Sequence, residues 1–170
     1  MAALASVRLI ADNLPGAYRE PDNMSFRENM MMASLMAGLA FSNASLGIVH
    51  AMAHSLGGSL GLAHGECNAI LLEKVVEYNY PAAAAKYDQL AEAMGQNMAE
   101  IVEHERVTTV AGCVESLRKQ LDISYRLYDM GVSLEDLPGL SEFASLDPCV
   151  ATNPRETNQK DIEEIYKQIY

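Results

Sequence analysis

The sequence predicts an all-α fold. Apolar residues recur at three- and four-residue spacing in almost every long segment, and proline and glycine fall mostly between those segments. With 170 residues, 49% of them hydrophobic and 21% charged, the chain has enough apolar material for a single helical domain, residues 1–170, with a substantial core.

The periodicity places helices at about Ala2 to Asn13, Ser25 to Phe41, Ala44 to Leu56, His64 to Tyr78, Ala82 to Met94, Met98 to Gln120 and Gln159 to Ile169, with a shorter one from Leu137 to Leu146. Asp22 or Asn23 supplies a side-chain oxygen to cap the second helix, and Pro81 suits the first turn of the fifth, where its missing N–H costs nothing. Thr157 or Asn158, followed by Asp161, starts the last. Gly95 and Gly131 read as terminators.

Between Asn23 and Leu72 the only charged side chains are Arg27, Glu28 and Glu66. Helices this apolar are expected to be buried on most faces, so the domain should be built around them. From Glu73 onward charges return on one face of each helix, as in an outer layer. The methionine run Met30 to Met32, with Met24 and Met36, reads as adaptable core or interface packing.

Twelve basic against twenty-three acidic residues give a net charge of −11, and no lysine or arginine cluster offers a footprint for nucleic acid or anionic lipid. The longest apolar run, Met30 to Phe41, is too short to span a bilayer, and the N-terminus lacks a signal-peptide pattern, so a soluble cytoplasmic protein is expected, with no membrane partner. Cys67, Cys113 and Cys149 are odd in number and form no Cys-x-x-Cys pair, which fits reduced thiols.

Three of the four histidines, His50, His54 and His64, fall within fifteen residues. A lone histidine on an apolar helix is more often a core residue than a ligand, but this spacing changes the weighing. His50 and His54, at i and i+4, project from one helical face, and Gly57, Gly58 and Gly61 permit a reversal that returns His64 toward them. Neutral imidazoles suit iron(II), zinc, copper or nickel, and the set lacks the thiolates of a structural zinc site. Cys67 is expected to be a small core residue. His104 lies in a charged run and reads as part of a solvated face.

The segments Ala37-Gly-Leu-Ala-Phe-Ser-Asn-Ala-Ser-Leu-Gly-Ile-Val-His-Ala-Met-Ala-His-Ser-Leu-Gly-Gly and Ala63-His-Gly-Glu-Cys-Asn-Ala-Ile-Leu-Leu resemble the iron-containing (group III) alcohol dehydrogenases, and the likeness runs from Ser6-Val-Arg-Leu to the tail Asn153-Pro-Arg and Asp161-Ile-Glu-Glu-Ile-Tyr. The resemblance implies the helical C-terminal domain of the dehydroquinate synthase-like fold. It also implies metal-assisted, NAD(P)-dependent oxidoreduction of an alcohol or aldehyde. Carried over by motif, His50 and His64 are metal ligands (Fe2+ or Zn2+), His54 is catalytic beside the metal, and Phe41 lines the substrate pocket.

The family's nucleotide-binding α/β domain has no counterpart here, and its two further ligands, an aspartate and a histidine four residues on, are not matched, since no Asp-x-x-x-His occurs. The resemblance therefore implies a truncated product that does not bind NAD(P), holds metal weakly and is inactive by itself. Two arrangements would cover the apolar wall this leaves: a homo-oligomer, or assembly with a separate nucleotide-binding domain.

Overall fold

A computed structural model describes all residues, 1–170, and contains seven α-helices and no strand. The helices are α1 (Ala2–Arg19), α2 (Met24–Ala44), α3 (Ile48–Leu60), α4 (His64–Ala93), α5 (Glu103–Gln120), α6 (Leu137–Ser145) and α7 (Gln159–Ile169). Short 3₁₀ turns occupy Met98–Glu100, Tyr128–Met130 and Pro148–Thr152. No single helix is long and apolar enough to cross a membrane.

The helices gather into two compact units, one made of Met1–Ser45 with Ala84–Leu121 and the other of Leu46–Ala83 with Asp122–Tyr170. The boundary at residue 83 coincides with a break in α4, where Ala83 leaves helical geometry (φ −148°, ψ 34°). That break lies two residues beyond Pro81, which cannot donate into the preceding turn, so the two helices expected at His64 to Tyr78 and Ala82 to Met94 are two limbs of one bent element.

In the first unit α1 runs on to Arg19, six residues beyond the expected end at Asn13, and carries Pro15 inside it. Ahead of the proline, Asn13 donates to the Leu9 carbonyl one turn back at 2.8 Å and accepts from Asn29 of α2 at 2.8 Å, while the buried Ser6 hydroxyl donates to the Ala33 carbonyl at 2.8 Å. Asn23 caps α2 through the Ser25 N–H. The helix expected from Met98 begins instead at Glu103, because Arg106 folds back to donate to the carbonyls of Met98 and Ile101 and to Asp88, holding Val102 extended. Gly95 ends α4 with φ +93°.

The expectation that the uncharged central helices are buried on most faces holds for α3 and fails for α2. In α3, Ile48, Ala51, Met52, Ala53, Ser55 and Leu56 are all buried. In α2 only Ala33 is buried, and Met24, Met31, Met32, Leu35, Leu39 and Phe41 are exposed. The methionine run is therefore not core of this chain. Low charge reports that a surface is apolar, and says nothing about whether the same chain covers it.

The second unit is organised around α3. Tyr166 of α7 is fully buried and donates to the Met52 carbonyl at 2.8 Å, and Ser55 donates to the Leu140 carbonyl of α6 at 2.8 Å. Both bonds satisfy polar groups that would be costly to bury alone. Helix α7 starts with a capping box in which Asn158 and Asp161 exchange side-chain and backbone bonds, and it buries Ile162, Ile165, Tyr166 and Ile169.

Candidate metal centre

All three imidazoles of the cluster belong to the second unit, and the fold brings them together. His50 and His54 sit one turn apart on α3, with ring centroids 6.1 Å apart. The chain then reverses. Gly61 adopts φ +70°, a conformation that a side chain resists, and a Cβ at Gly57 would lie 3.3 Å from the Leu62 carbonyl. Gly58, by contrast, is an ordinary helical position with open space around it. His64 opens α4, its ring 5.5 Å from that of His50 and 5.2 Å from that of His54, nearly parallel to the latter at 15°.

A second strand of connectivity reaches the cluster from far along the chain. Asp147 accepts from His54 Nδ1 at 2.9 Å across 93 residues of sequence. Its other oxygen accepts the Cys149 N–H at 2.8 Å, so Asp147 also caps the 3₁₀ turn Pro148–Thr152. The far end of that turn is latched to α3 and α4: Asn153 accepts the Ile48 N–H at 3.2 Å and exchanges amide bonds of 2.9 and 2.7 Å with the buried Asn79. Thr152 donates to the Leu46 carbonyl, and the Arg155 guanidinium lies 4.0 Å from the centre of the Tyr78 ring. Ala51, Ser55, Gly58, Ser59 and Phe143 complete a surface cleft beside His54 and Asp147.

The electrostatics disfavour a charge on His50 and favour one on Asp147. Burial, together with the neighbouring His64 and His54, lowers the pKa of His50 below 6.5 against the opposing pull of Asp147. Burial alone would raise Asp147, but the Cys149 N–H, His54 and the Cys149 thiol outweigh it and hold the carboxyl below its ordinary range. Burial and the adjacent Asp147 push the Cys149 thiol up to about 11, so it stays protonated at neutral pH.

Two donor sets are thus possible. The ligating atoms of His54, Asp147 and Cys149 lie within 4.8 Å of one another, but both Asp147 oxygens are already engaged and the thiol holds its proton. The three imidazoles offer ring nitrogens, and Nδ1 of His50 is buried with no hydrogen-bond partner in the protein. Asn68, one turn into α4, donates to the His64 ring at 3.1 Å and leaves its own buried Oδ1 unpartnered. Orphaned polar atoms of this kind, beside three clustered imidazoles, fit a divalent cation better than the mixed set does.

Phe41 lies on α2 in the first unit and is 49% exposed. Cys67 is fully buried core, and the His104 side chain is 83% exposed beside Glu105. Asp147 and Cys149 were not selected from the sequence. Asp147-Pro-Cys is legible there as a cap before a proline, but nothing local indicates that the cap faces His54.

The C-terminal model of the Fe-containing alcohol dehydrogenase family matches residues 1–170. The chain is 41% identical over 169 residues to 1,3-propanediol dehydrogenase of Citrobacter freundii, covering 99% of this chain and 44% of that protein. It is 36% identical over 163 residues to lactaldehyde reductase of Escherichia coli (strain K12), covering 96% of this chain and 42% of that protein. The crystal structure of a 1,3-propanediol oxidoreductase superposes with a TM-score of 0.96 at 40% identity, over 99% of this chain and 44% of that one. The chain thus spans less than half the length of the relatives it matches, and the matched part is their C-terminal, helical portion. With its seven helices and its histidine cluster, the chain belongs to the Fe-containing alcohol dehydrogenase family.

Proposed function

We propose that this chain supplies the helical, metal-bearing wall of an NAD(P)-dependent alcohol or aldehyde oxidoreductase, with His50 and His64 as metal ligands, His54 as the catalytic histidine and Phe41 at the substrate pocket. The observation that carries the reading is the convergence of three imidazoles within 6.1 Å, with a buried, unpartnered nitrogen on His50. A bound Fe2+ or Zn2+ would supply Lewis-acid polarisation of the alcohol or carbonyl oxygen. The chain's own residues do the rest of the work on this side. Burial keeps His50 neutral and so able to donate a lone pair, the turn at Gly61 holds His64 against the α3 face, and the cleft beside His54 offers an approach for a small polar substrate. The relatives named for 1,3-propanediol and lactaldehyde suggest a substrate of that size class.

Titration calorimetry with Zn2+ or Ni2+ at pH 7.5 tests the metal assignment. Uptake is expected in the wild-type chain and is expected to be lost in His50→Ala and His64→Ala. No uptake, or unchanged uptake in both variants, would refute it. Activity is tested by grafting residues 1–170 in place of the matching portion of the C. freundii enzyme and following NADH consumption with a small aldehyde. The graft should be active, and His54→Ala within it should reduce turnover.

The exposed apolar row on α2 supports a second reading, in which this surface assembles with another copy of the chain. Met31, Leu35 and Leu39 repeat every fourth residue and are 71%, 58% and 55% exposed. Light scattering should then give a multiple of 18.5 kDa that falls to the monomer in Leu35→Glu/Leu39→Glu. A monomeric wild type would end that reading.

A further inference from the structure

Asp147 meets His54 with a geometry that does more than pair charges. Its two oxygens take different partners: the Cys149 N–H holds one at 2.8 Å and His54 Nδ1 reaches the other at 2.9 Å, and the Cys149 thiol also bonds the carboxylate. The first bond makes the carboxylate part of the backbone of a 3₁₀ turn, with Pro148 at the turn's first position removing one degree of freedom. The turn itself is fastened to the start of α3 by Asn153 and Thr152. The carboxylate is therefore set in place by the same helix that carries His54, with its side chain 18% exposed.

We propose that Asp147 is a positioning residue of the centre: it fixes the ring of His54 in the Nδ1–H tautomer and in one orientation, leaving Nε2 as the ring's free acceptor within the histidine cluster. An ionised carboxylate can only accept, so the proton on the shared edge belongs to Nδ1. A neutral imidazole has one N–H, and the lone pair then lies on Nε2. The role assigned to Asp147 rests on the reading of the cluster as the reaction centre, where the lone pair would face a substrate proton, and it deepens that reading by naming what prepares His54 for it. Removing a partner that fixes an imidazole tautomer in this way typically costs about 10–100-fold or more in metal affinity or activity.

The test is long-range ¹⁵N–¹H NMR of the metal-free 170-residue chain at pH 8, with the His54 signals identified by their loss in His54→Gln. Wild-type His54 should carry its proton on Nδ1. In Asp147→Asn the side-chain oxygen stays with the Cys149 N–H and the amide faces His54, so the proton should move to Nε2. In Asp147→Ala both tautomers should be present. A merely structural contact would not move this signature while leaving remote amide signals in place. Nε2 protonation in the wild type overturns the proposal even if no variant folds, and Nδ1 protonation persisting in Asp147→Asn overturns it as well. Calorimetry with Ni2+ on the same wild-type sample separates the two readings. Absence of uptake together with the Nδ1 tautomer removes the metal assignment and leaves the positioning role standing, whereas uptake with the wrong tautomer does the reverse.

Discussion

Helices α2 and α3 follow one another in the sequence and are both poor in charge, with Arg27 and Glu28 in α2 and no acidic residue, lysine or arginine in α3, yet α3 buries six of its thirteen residues while α2 buries one of twenty-one. α3 is enclosed by α6 and α7 of its own unit and by the latch at Asn153, and it carries two of the three clustered histidines. α2 is tied to α1 through Ala33 and Asn29 and otherwise presents methionine, leucine and phenylalanine to solvent. The difference separates two uses of apolar sequence. One fills an internal core that positions functional groups, and the other leaves an exposed apolar surface.

The contrast should break most visibly under truncation of the core. Leu56→Ala is expected to cost about 2–5 kcal/mol, because Leu56 is fully buried and the helices around it cannot collapse into the space. Urea denaturation measures this, and a loss no larger than that at an exposed site would mean α3 is loosely packed. Asn153→Ala comes next, at about 1–3 kcal/mol, since it strands the buried Asn79 amide and the Ile48 N–H together. It should also loosen the turn bearing Asp147, visible as faster amide exchange at Cys149.

His50 gives α3 a pH dependence. The unfolded chain protonates His50 near 6.5, whereas the folded chain resists protonation until lower pH. Stability from this group is therefore complete above 6.5 and is lost as pH falls below it toward the depressed folded value. His54 and His64 strengthen the effect and Asp147 opposes it. In the metal-free chain the thermal midpoint should decline below pH 6.5, and His50→Gln should flatten that decline. An unchanged slope would assign it to other groups.

Smaller effects belong to the first unit. Ser6→Ala removes the buried bond to the Ala33 carbonyl and should cost about 1 kcal/mol by the same denaturation assay, marking the one place where α2 is core. Leu35→Ala, on the exposed row, should change the stability of the dilute chain by less than about 0.5 kcal/mol. A loss comparable to that of Leu56→Ala would show that the α2 face is covered in solution.

Much of this was legible along the sequence because it depends on neighbours within a few residues. The start of the last helix was readable from Thr157 or Asn158 with Asp161, and Asn158 is the cap, since the bonds of the capping box close within three residues. Gly95 and Gly131 end elements through their own positive φ. The histidine cluster could be read because His50 and His54 share a helix face and His64 lies one short reversal away. The start of α5 could not be read, because it depends on Arg106 reaching back to Asp88.

By itself, then, the sequence determined the helical class through periodicity, the three imidazoles of the centre through short spacings, and the family through the resemblance of its segments to known members. The tertiary structure decided which apolar helix became core and which remained surface. It also decided that Asp147 and Cys149, more than ninety residues beyond His54, join the cluster. The physical reason is range. Helix periodicity, caps and turns are set by interactions that close within a few residues, whereas burial and a carboxylate's choice of partner depend on which distant segments the chain brings into contact.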